Sequence, residues 1–241
     1  MSERTALVVG GTSGIGLATA RMLRQRGATV HVAGRSGERL ATVAGTDPEL
    51  IGHQVDASDP NAVGALAAEI GTVDWLLVTL GGFGGPGPIA DLDLNMLRRE
   101  FDAKFWAHLV TIQSVLPRLA PEGSITLLSA ITARSSIPGS AGVAAINGAI
   151  EAMVKPLAVE LGPIRVNAVA PGVVDSSWWT GAGMTDEARR DYFAQVSRVL
   201  PARRVASVED VAEALVLVAT NPNLTGTVIE ADGGMRLISL G

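Results

Sequence analysis

Three glycines in the segment GGTSGIG, Gly10, Gly14 and Gly16, lie between a short apolar run and the first amphipathic stretch of the chain. The run TALVV, residues 5–9, is rich in β-branched residues, the pattern of a strand buried on both faces of a parallel sheet. After it, Ile15, Leu17, Ala18, Met22 and Leu23 recur at helical spacing and the stretch closes on Gly27, which predicts a helix ended by a left-handed cap. The glycines therefore fall on a strand-to-helix turn, completed by Thr12, Ser13 and Ile15. Without β-carbons, such a turn lets a dinucleotide pyrophosphate approach the backbone, and the free amides and positive end of the helix favour its charge. A plain tight turn uses glycines as well, so this spacing alone leaves both readings open.

The second predicted strand, ATVHVAG, ends in Gly34-Arg35-Ser36. An acidic side chain at such a strand end would accept hydrogen bonds from an adenosine ribose and repel a phosphate on its 2′ oxygen. None stands here. Arg35 offers a planar cationic donor and Ser36 a hydroxyl, a pair that suits a phosphate. A solvated surface arginine is the competing reading of the same residue.

Composition limits the elements that can hold these groups. At 241 residues, 47% hydrophobic and 18% charged, the chain can bury a sizeable core, and its alternating strand and helix signals favour one α/β domain. A net charge of −5 without a long basic run excludes nucleic acid as an expected partner. The absence of cysteine excludes disulfides, thiolate nucleophiles and thiolate metal sites, and no metal is expected. The opening MSERTALVVGG has too few apolar residues for a signal peptide or a membrane span, so a cytoplasmic location without membrane attachment is expected.

The spacing Gly10-x-x-x-Gly14-x-Gly16 resembles the first turn of the short-chain dehydrogenase/reductase family, T-G-x-x-x-G-I-G, and differs from the G-x-G-x-x-G of other dinucleotide folds. The resemblance covers most of the chain. VDWLLV is similar to the family's fourth strand, IRVNAVAPG to its sixth strand and Pro-Gly turn, LPARRVASVEDVAEAL to its late helix, and TGTVIEADGG to its last strand. It implies a single-domain Rossmann fold over residues 1–241: a doubly wound parallel sheet of about seven strands with helices on both faces, and a substrate lid at about 176–200. It implies NADP(H) in preference to NAD(H), from Arg35 and Ser36, and a border to adenine at Asp56 and Ala57. After the fourth strand, where typical members carry N-N-A-G, this chain has Thr79-Leu80-Gly81-Gly82. Gly81 and Gly82 still admit a cofactor to the backbone, but both asparagine side chains are gone, and the loop continues as FGGPGP.

In that family a tyrosine exchanges a proton with the substrate oxygen, a serine holds that oxygen, a lysine lowers the tyrosine's pKa and binds ribose, and an asparagine orders a relay water. By resemblance the asparagine position falls on Lys104, the serine on Ala130, the tyrosine on Val143 and the lysine on Asn147. The interval from Ala130 to Val143 matches the family's, so the register holds while the residues differ. Lys104 and Ser129 are left as the candidate catalytic side chains, and Asn147 can donate to a ribose hydroxyl but carries no charge. Tyr192, the chain's one tyrosine, falls on the lid segment beside Phe193 and Val196, where a half-buried packing role is the plainer reading. His31 and His53 fall on the second and third strands and His108 on the helix predicted over Asp102–Leu119.

The stretch Pro171-Gly172-Val173-Val174-Asp175-Ser176 is similar to the family's P-G-x-x-x-T, which implies carboxamide contacts from Pro171, Gly172, Val174 and Ser176. Trp178 and Trp179 then predict either an aromatic ligand surface or a core-and-interface pair. The helix around Ala144–Leu161, with its small residues, aligns with one of the two through which the family assembles, so a homotetramer or homodimer is expected. Three functions stay open. The first is an NADP(H)-dependent oxidoreductase acting on a lipophilic carbonyl or imine-like small molecule by an atypical proton transfer. The second is a non-redox enzyme such as a cyclase, isomerase or dehydratase, and the third a non-catalytic NADP(H)-binding regulatory protein.

Overall fold

The computed structural model describes residues 4–82, 86–181 and 183–238. The first half alternates strand and helix: β1 (Thr5–Val9), α1 (Gly14–Gln25), β2 (Thr29–Gly34), α2 (Gly37–Thr46), β3 (Ile51–Gln54), α3 (Pro60–Ile70) and β4 (Val73–Val78). Then come α4 (Leu94–Glu100), α5 (Ala107–Val115), β5 (Leu119–Leu128), α6 (Ala141–Glu160), β6 (Arg165–Pro171), β7 (Val174–Asp175), α7 (Trp178–Gly181), α8 (Asp186–Val199), β8 (Ala206–Ser207), α9 (Val208–Thr220) and β9 (Val228–Ala231).

Among the described residues a seven-stranded sheet runs in the order β3-β2-β1-β4-β5-β6-β9, with every pairing parallel. The central strands are mostly apolar on both faces, with Asp74, Ser124, Thr126, Arg165 and Asn167 as buried polar exceptions, and the period-two alternation divides their apolar side chains between two cores. Leu7, Leu76, Ile125 and Val166 point into a core closed by α3, α5 and α6, through Leu66, Ile112 and Ile150. Val8, Leu77, Leu128 and Val169 point into the opposite core, closed by α1, α2 and α9 through Leu23, Val43 and Leu215. Each fully buried leucine or isoleucine stabilises the fold by roughly 1.5–3 kcal/mol. The expected doubly wound Rossmann sheet is therefore present. The chain order reverses between β1 and β4, which opens a crevice at their carboxyl ends, where Gly10 and Thr79 follow the two strands.

The helix predicted over Asp102–Leu119 is divided. A π-helical turn, Phe101–Trp106, separates α4 from α5, and a short 3-10 turn holding Pro117 ends the helix before β5 begins at Leu119. Proline lacks the amide that would continue the ladder. The helix α6 runs 20 residues with a mean hydropathy of 1.3, long and apolar enough by composition to cross a membrane. Here Ile146, Ile150 and Val154 pack it on the sheet, as in a core helix.

Beyond the sheet, β7 pairs with β8, and the chain between them forms α7 and α8. These helices sit over a satellite core of Ile131, Val173, Val196, Leu200 and Met235, joined by Trp179, Tyr192 and Phe193. Tyr192 packs in this cluster, its ring 5.1 Å from that of Trp179, and burial raises its pKa above the ordinary phenol value.

Candidate active site

The glycine turn separates into two jobs. A β-carbon on Gly16 would lie 2.3 Å from the Gly10 carbonyl oxygen and 2.5 Å from Thr79 Oγ1, and one on Gly10, whose φ is +87°, would lie 2.8 Å from the Thr79 carbonyl oxygen. These two positions let the turn pack against the end of β4. Gly14 differs: its φ is +51°, and an added β-carbon would meet nothing within 4 Å. It opens α1 onto free space, and Ser13, the residue before it, makes no side-chain cap. The first amides of α1 thus border a cradle shaped for an anion. Thr12 packs under Gly34 at the end of β2, and the Ile15 side chain packs on the second core, so Ile15 offers the cradle only backbone.

Arg35 and Ser36 follow β2 directly. Ser36 caps α2 by accepting the Arg39 amide at 3.2 Å, and Arg39 Nη1 donates to Ser13 Oγ at 3.4 Å. This brings a second guanidinium back over the glycine turn. Arg39 was missed in the sequence; its signal is a basic residue three places after a helix cap, on the first turn of α2. Asp56 accepts from the Ser58 amide and hydroxyl at 3.0 and 2.7 Å, and those bonds, helped by the Arg35 charge, hold its carboxyl below the ordinary range. Ala57 is buried in the first core. An open cradle, two guanidinium groups and no acid at the end of β2 fit a dinucleotide that carries an additional phosphate.

The other wall of the crevice comes from the loop after β4 and the turn after β6. Gly81 leaves open space at its β-carbon position. At Gly82 that position lies 1.8 Å from Glu100 Oε2, so only glycine admits the carboxylate there. Trp178 Nε1 donates to the Gly82 carbonyl at 2.7 Å, joining α7 to this loop, and Trp179 Nε1 donates to the Val174 carbonyl at 2.8 Å. Pro171 ends β6 against Ala231, and a β-carbon on Gly172 would lie 2.9 Å from Asp232 Cα. Ser176 Oγ accepts the Trp178 amide at 3.4 Å at the start of α7.

At the floor lies Lys104, in the middle of the π-helical turn. Its Nζ donates to Asn147 Oδ1 at 2.7 Å, and Asn147 Nδ2 donates to Thr132 Oγ1 at 3.1 Å and to the Val143 carbonyl at 3.0 Å. Both amide protons of Asn147 are thereby engaged inside the protein, which leaves its own side chain none for a ribose hydroxyl. Thr132 accepts from Asn147, and among the described residues its own hydroxyl donates to none; it was missed because it lies two residues beyond the position the family uses. Burial pushes the Lys104 ammonium down to about 8, against an opposing pull from Glu100. The buried His108 sits 2.7 Å from the Lys104 carbonyl through Nδ1, so this ring nitrogen carries the proton and donates, and burial holds the ring neutral, with a pKa pushed down to about 3. His31 and His53 instead meet each other across β2 and β3, with 2.9 Å between ring nitrogens.

Ser129 does not join this group. Its Oγ donates to Glu151 Oε1 at 2.8 Å, and Arg134 Nε holds the other oxygen of Glu151 at 2.7 Å. Ser129 thus faces α6 one turn along from Asn147, where Glu151, held by Arg134, claims its hydroxyl.

A family profile described as Enoyl-(Acyl carrier protein) reductase matches residues 9–236. Short-chain dehydrogenase/reductase malC of Malbranchea aurantiaca is 30% identical, over 97% of this chain and 95% of its own. Its solved structure, as MalC Reductase/Diels-Alderase, superposes with a TM-score of 0.88 at 26% identity, covering 98% of this chain and 97% of that one. Cis-4-hydroxycyclohexanecarboxylate dehydrogenase of Sinomonas cyclohexanicum is 33% identical, over 98% of both chains. A small-chain dehydrogenase in complex with NADPH superposes with a TM-score of 0.86 at 34% identity, covering 98% of this chain and 100% of that one. With a match along almost its whole described length and the glycine turn built as above, the chain belongs to the short-chain dehydrogenase/reductase family.

Proposed function

We propose that the protein is a cytoplasmic NADP(H)-dependent oxidoreductase that reduces a lipophilic carbonyl or imine-like small molecule, with Lys104 in place of the usual tyrosine as proton donor. The observation that carries this reading is the Lys104–Asn147 contact of 2.7 Å. The family's asparagine and lysine positions are exchanged in this chain, and the exchange is reciprocal: the ammonium comes from the opposite helix and meets the amide that replaced it. The open cradle at Gly14 and the guanidinium groups of Arg35 and Arg39 support NADP(H), as does the likeness to a dehydrogenase bound to NADPH.

The cofactor, when bound, supplies the hydride. The chain supplies the rest. Lys104 gives a proton from Nζ to the substrate oxygen or nitrogen as the carbon is reduced, Asn147 Oδ1 holds the ammonium in place, and the Thr132 hydroxyl can hold the substrate heteroatom. Trp178, Trp179 and the lid residues 176–200 exclude water from that transfer and favour an apolar substrate. Ser129, engaged by Glu151, has no part in it.

The test is steady-state oxidation of NADPH against a panel of ketones, quinones and imines. Turnover with at least one class is the expected result, and tight NADPH binding without turnover on any would overturn it. A second reading, catalysis without redox on this scaffold, is favoured by the relative named both reductase and Diels-Alderase. Product formation without added nicotinamide would select it.

For assembly we propose a homotetramer or homodimer through α5 and α6. Trp106, just before α5, is 53% exposed and Val159 on α6 is 86% exposed in the single chain, and Ala144, Ala145, Gly148, Ala149 and Ala152 let a second helix approach closely. Light scattering should give at least twice the mass of the 24.8 kDa chain, and a monomer would remove this proposal.

A further inference from the structure

The buried ammonium raises a question of resupply. Once Lys104 has given a proton to substrate it is a neutral amine enclosed by protein, and each turnover must restore what it lost. From α6 the group that faces it is Asn147, which has no proton to lend without breaking its own bonds. Glu151, one turn further along α6, is held by Ser129 and Arg134. On its own helix His108 is committed through Nδ1 to the Lys104 carbonyl. That leaves Glu100. It ends α4, four residues before Lys104, and its carboxylate occupies the space over Gly82 at the half-buried edge of the crevice. Gly82 is itself pinned by Trp178. Among the described residues the Glu100 carboxylate makes no hydrogen bond or ion pair, yet its charge acts on Lys104.

We infer that Glu100 is the acid–base partner of Lys104, stabilising its ammonium and returning from solvent the proton that Lys104 gives to substrate; this rests on the reading of Lys104 as proton donor. The step balances simply. The carboxylate takes a proton from a hydronium ion or a buffer acid at the edge of the crevice, leaving water or the buffer base; the carboxylic O–H bond then breaks as an N–H bond forms on the Lys104 amine, and the ammonium and carboxylate are restored. A carboxylic acid is the stronger acid of the two, so the transfer runs downhill. One intervening water suffices where the two groups do not touch.

The test compares the wild-type protein with Glu100→Gln, Gly82→Ala and Lys104→Met. Lysine ¹⁵N NMR of the free protein follows the Lys104 side chain, assigned by its loss in Lys104→Met. In Glu100→Gln the Lys104 titration midpoint should fall by about one pH unit, because an opposing charge has been removed. Gly82→Ala should move it the same way, since the new methyl group displaces a carboxylate that is chemically intact. Turnover of Glu100→Gln should drop about tenfold, with an enlarged solvent deuterium isotope effect. If Lys104→Met is inactive but Glu100→Gln keeps both the wild-type midpoint and the wild-type turnover, the inference is overturned and the role of Lys104 stands. If Lys104→Met turns over like wild type, the role of Lys104 falls and this inference with it.

Discussion

Lys104→Met is expected to lower kcat for reduction by roughly 10²–10⁴, the usual contribution of a positioned general acid. Dinucleotide affinity should stay within about twofold, because the cradle at Gly14 and the arginines after β2 are built from other elements. Loss of folding is not a competing explanation. Burial holds Lys104 from 10.5 down to about 8, which costs the folded state about 3 kcal/mol at neutral pH. Methionine relieves that cost and fills similar volume. Against it, Asn147 Oδ1 loses its donor, a buried acceptor left bare at about 1–3 kcal/mol. The two nearly offset, so the melting temperature should remain within a few degrees of wild type. Stopped-flow reduction, cofactor titration and thermal melts on the same preparation check all three expectations. A variant that melts normally, binds NADPH and still turns over at the wild-type rate would remove Lys104 from the mechanism.

The pH dependence carries the same signature. Reduction needs the ammonium, so kcat/KM should be level at acid pH and fall as pH rises through about 8; oxidation needs the free amine and should rise through the same point. Stability moves in a fixed direction too. The folded pKa lies below the unfolded one, so the unfolded chain binds more protons between about 8 and 10.5. The destabilising contribution of Lys104 is fully present below about 8 and fades as pH rises toward 10.5.

Much of this arrangement was legible in the sequence because backbone geometry leaves compositional marks. The runs at 5–9 and 73–78 are apolar as doubly covered strands require, apart from Thr5 and Asp74 at the strand starts, and the glycines at 10, 14 and 16 appear where side chains would collide or block the helix end. Lys104 and Asn147 were also placed on two helices, the second by counting back from a matched segment, but their contact was not legible. What could not be read was direction. Ser129 stood one residue from a serine position and was assigned to the crevice, yet Glu151, one turn along α6 from Asn147, takes its hydroxyl. Asn147 carried the donors for a ribose, yet Thr132 and the Val143 carbonyl claim both. The π-helical turn at Phe101–Trp106 has no signal in helical periodicity, because one extra residue shifts the face without breaking the pattern. Arg39 and Glu100 became visible only when the chain closed on itself, through contacts with Ser13 and Gly82.

Joint replacement of Arg35 and Arg39 with alanine should raise the NADPH dissociation constant about a hundredfold and leave NADH within about twofold. Hydrogen bonds to charged groups contribute about 1.5–3 kcal/mol each, and for guanidinium groups as exposed as these the lower end applies. That is about tenfold per arginine, and the two approach the turn from different elements, so their effects should nearly add. Arg35 follows β2 and sits near Asp56, whereas Arg39 reaches back from α2 to Ser13. NADH lacks the extra phosphate and gains nothing from either. The difference between the two cofactors therefore isolates the phosphate contact from any general damage to the turn, which would weaken both alike. Tryptophan-to-nicotinamide energy transfer reads the binding directly, with Trp178 anchored to Gly82 at the crevice wall. Equal weakening of NADPH and NADH would assign the arginines to the shape of the turn; an unchanged NADPH constant would return both to the solvated surface.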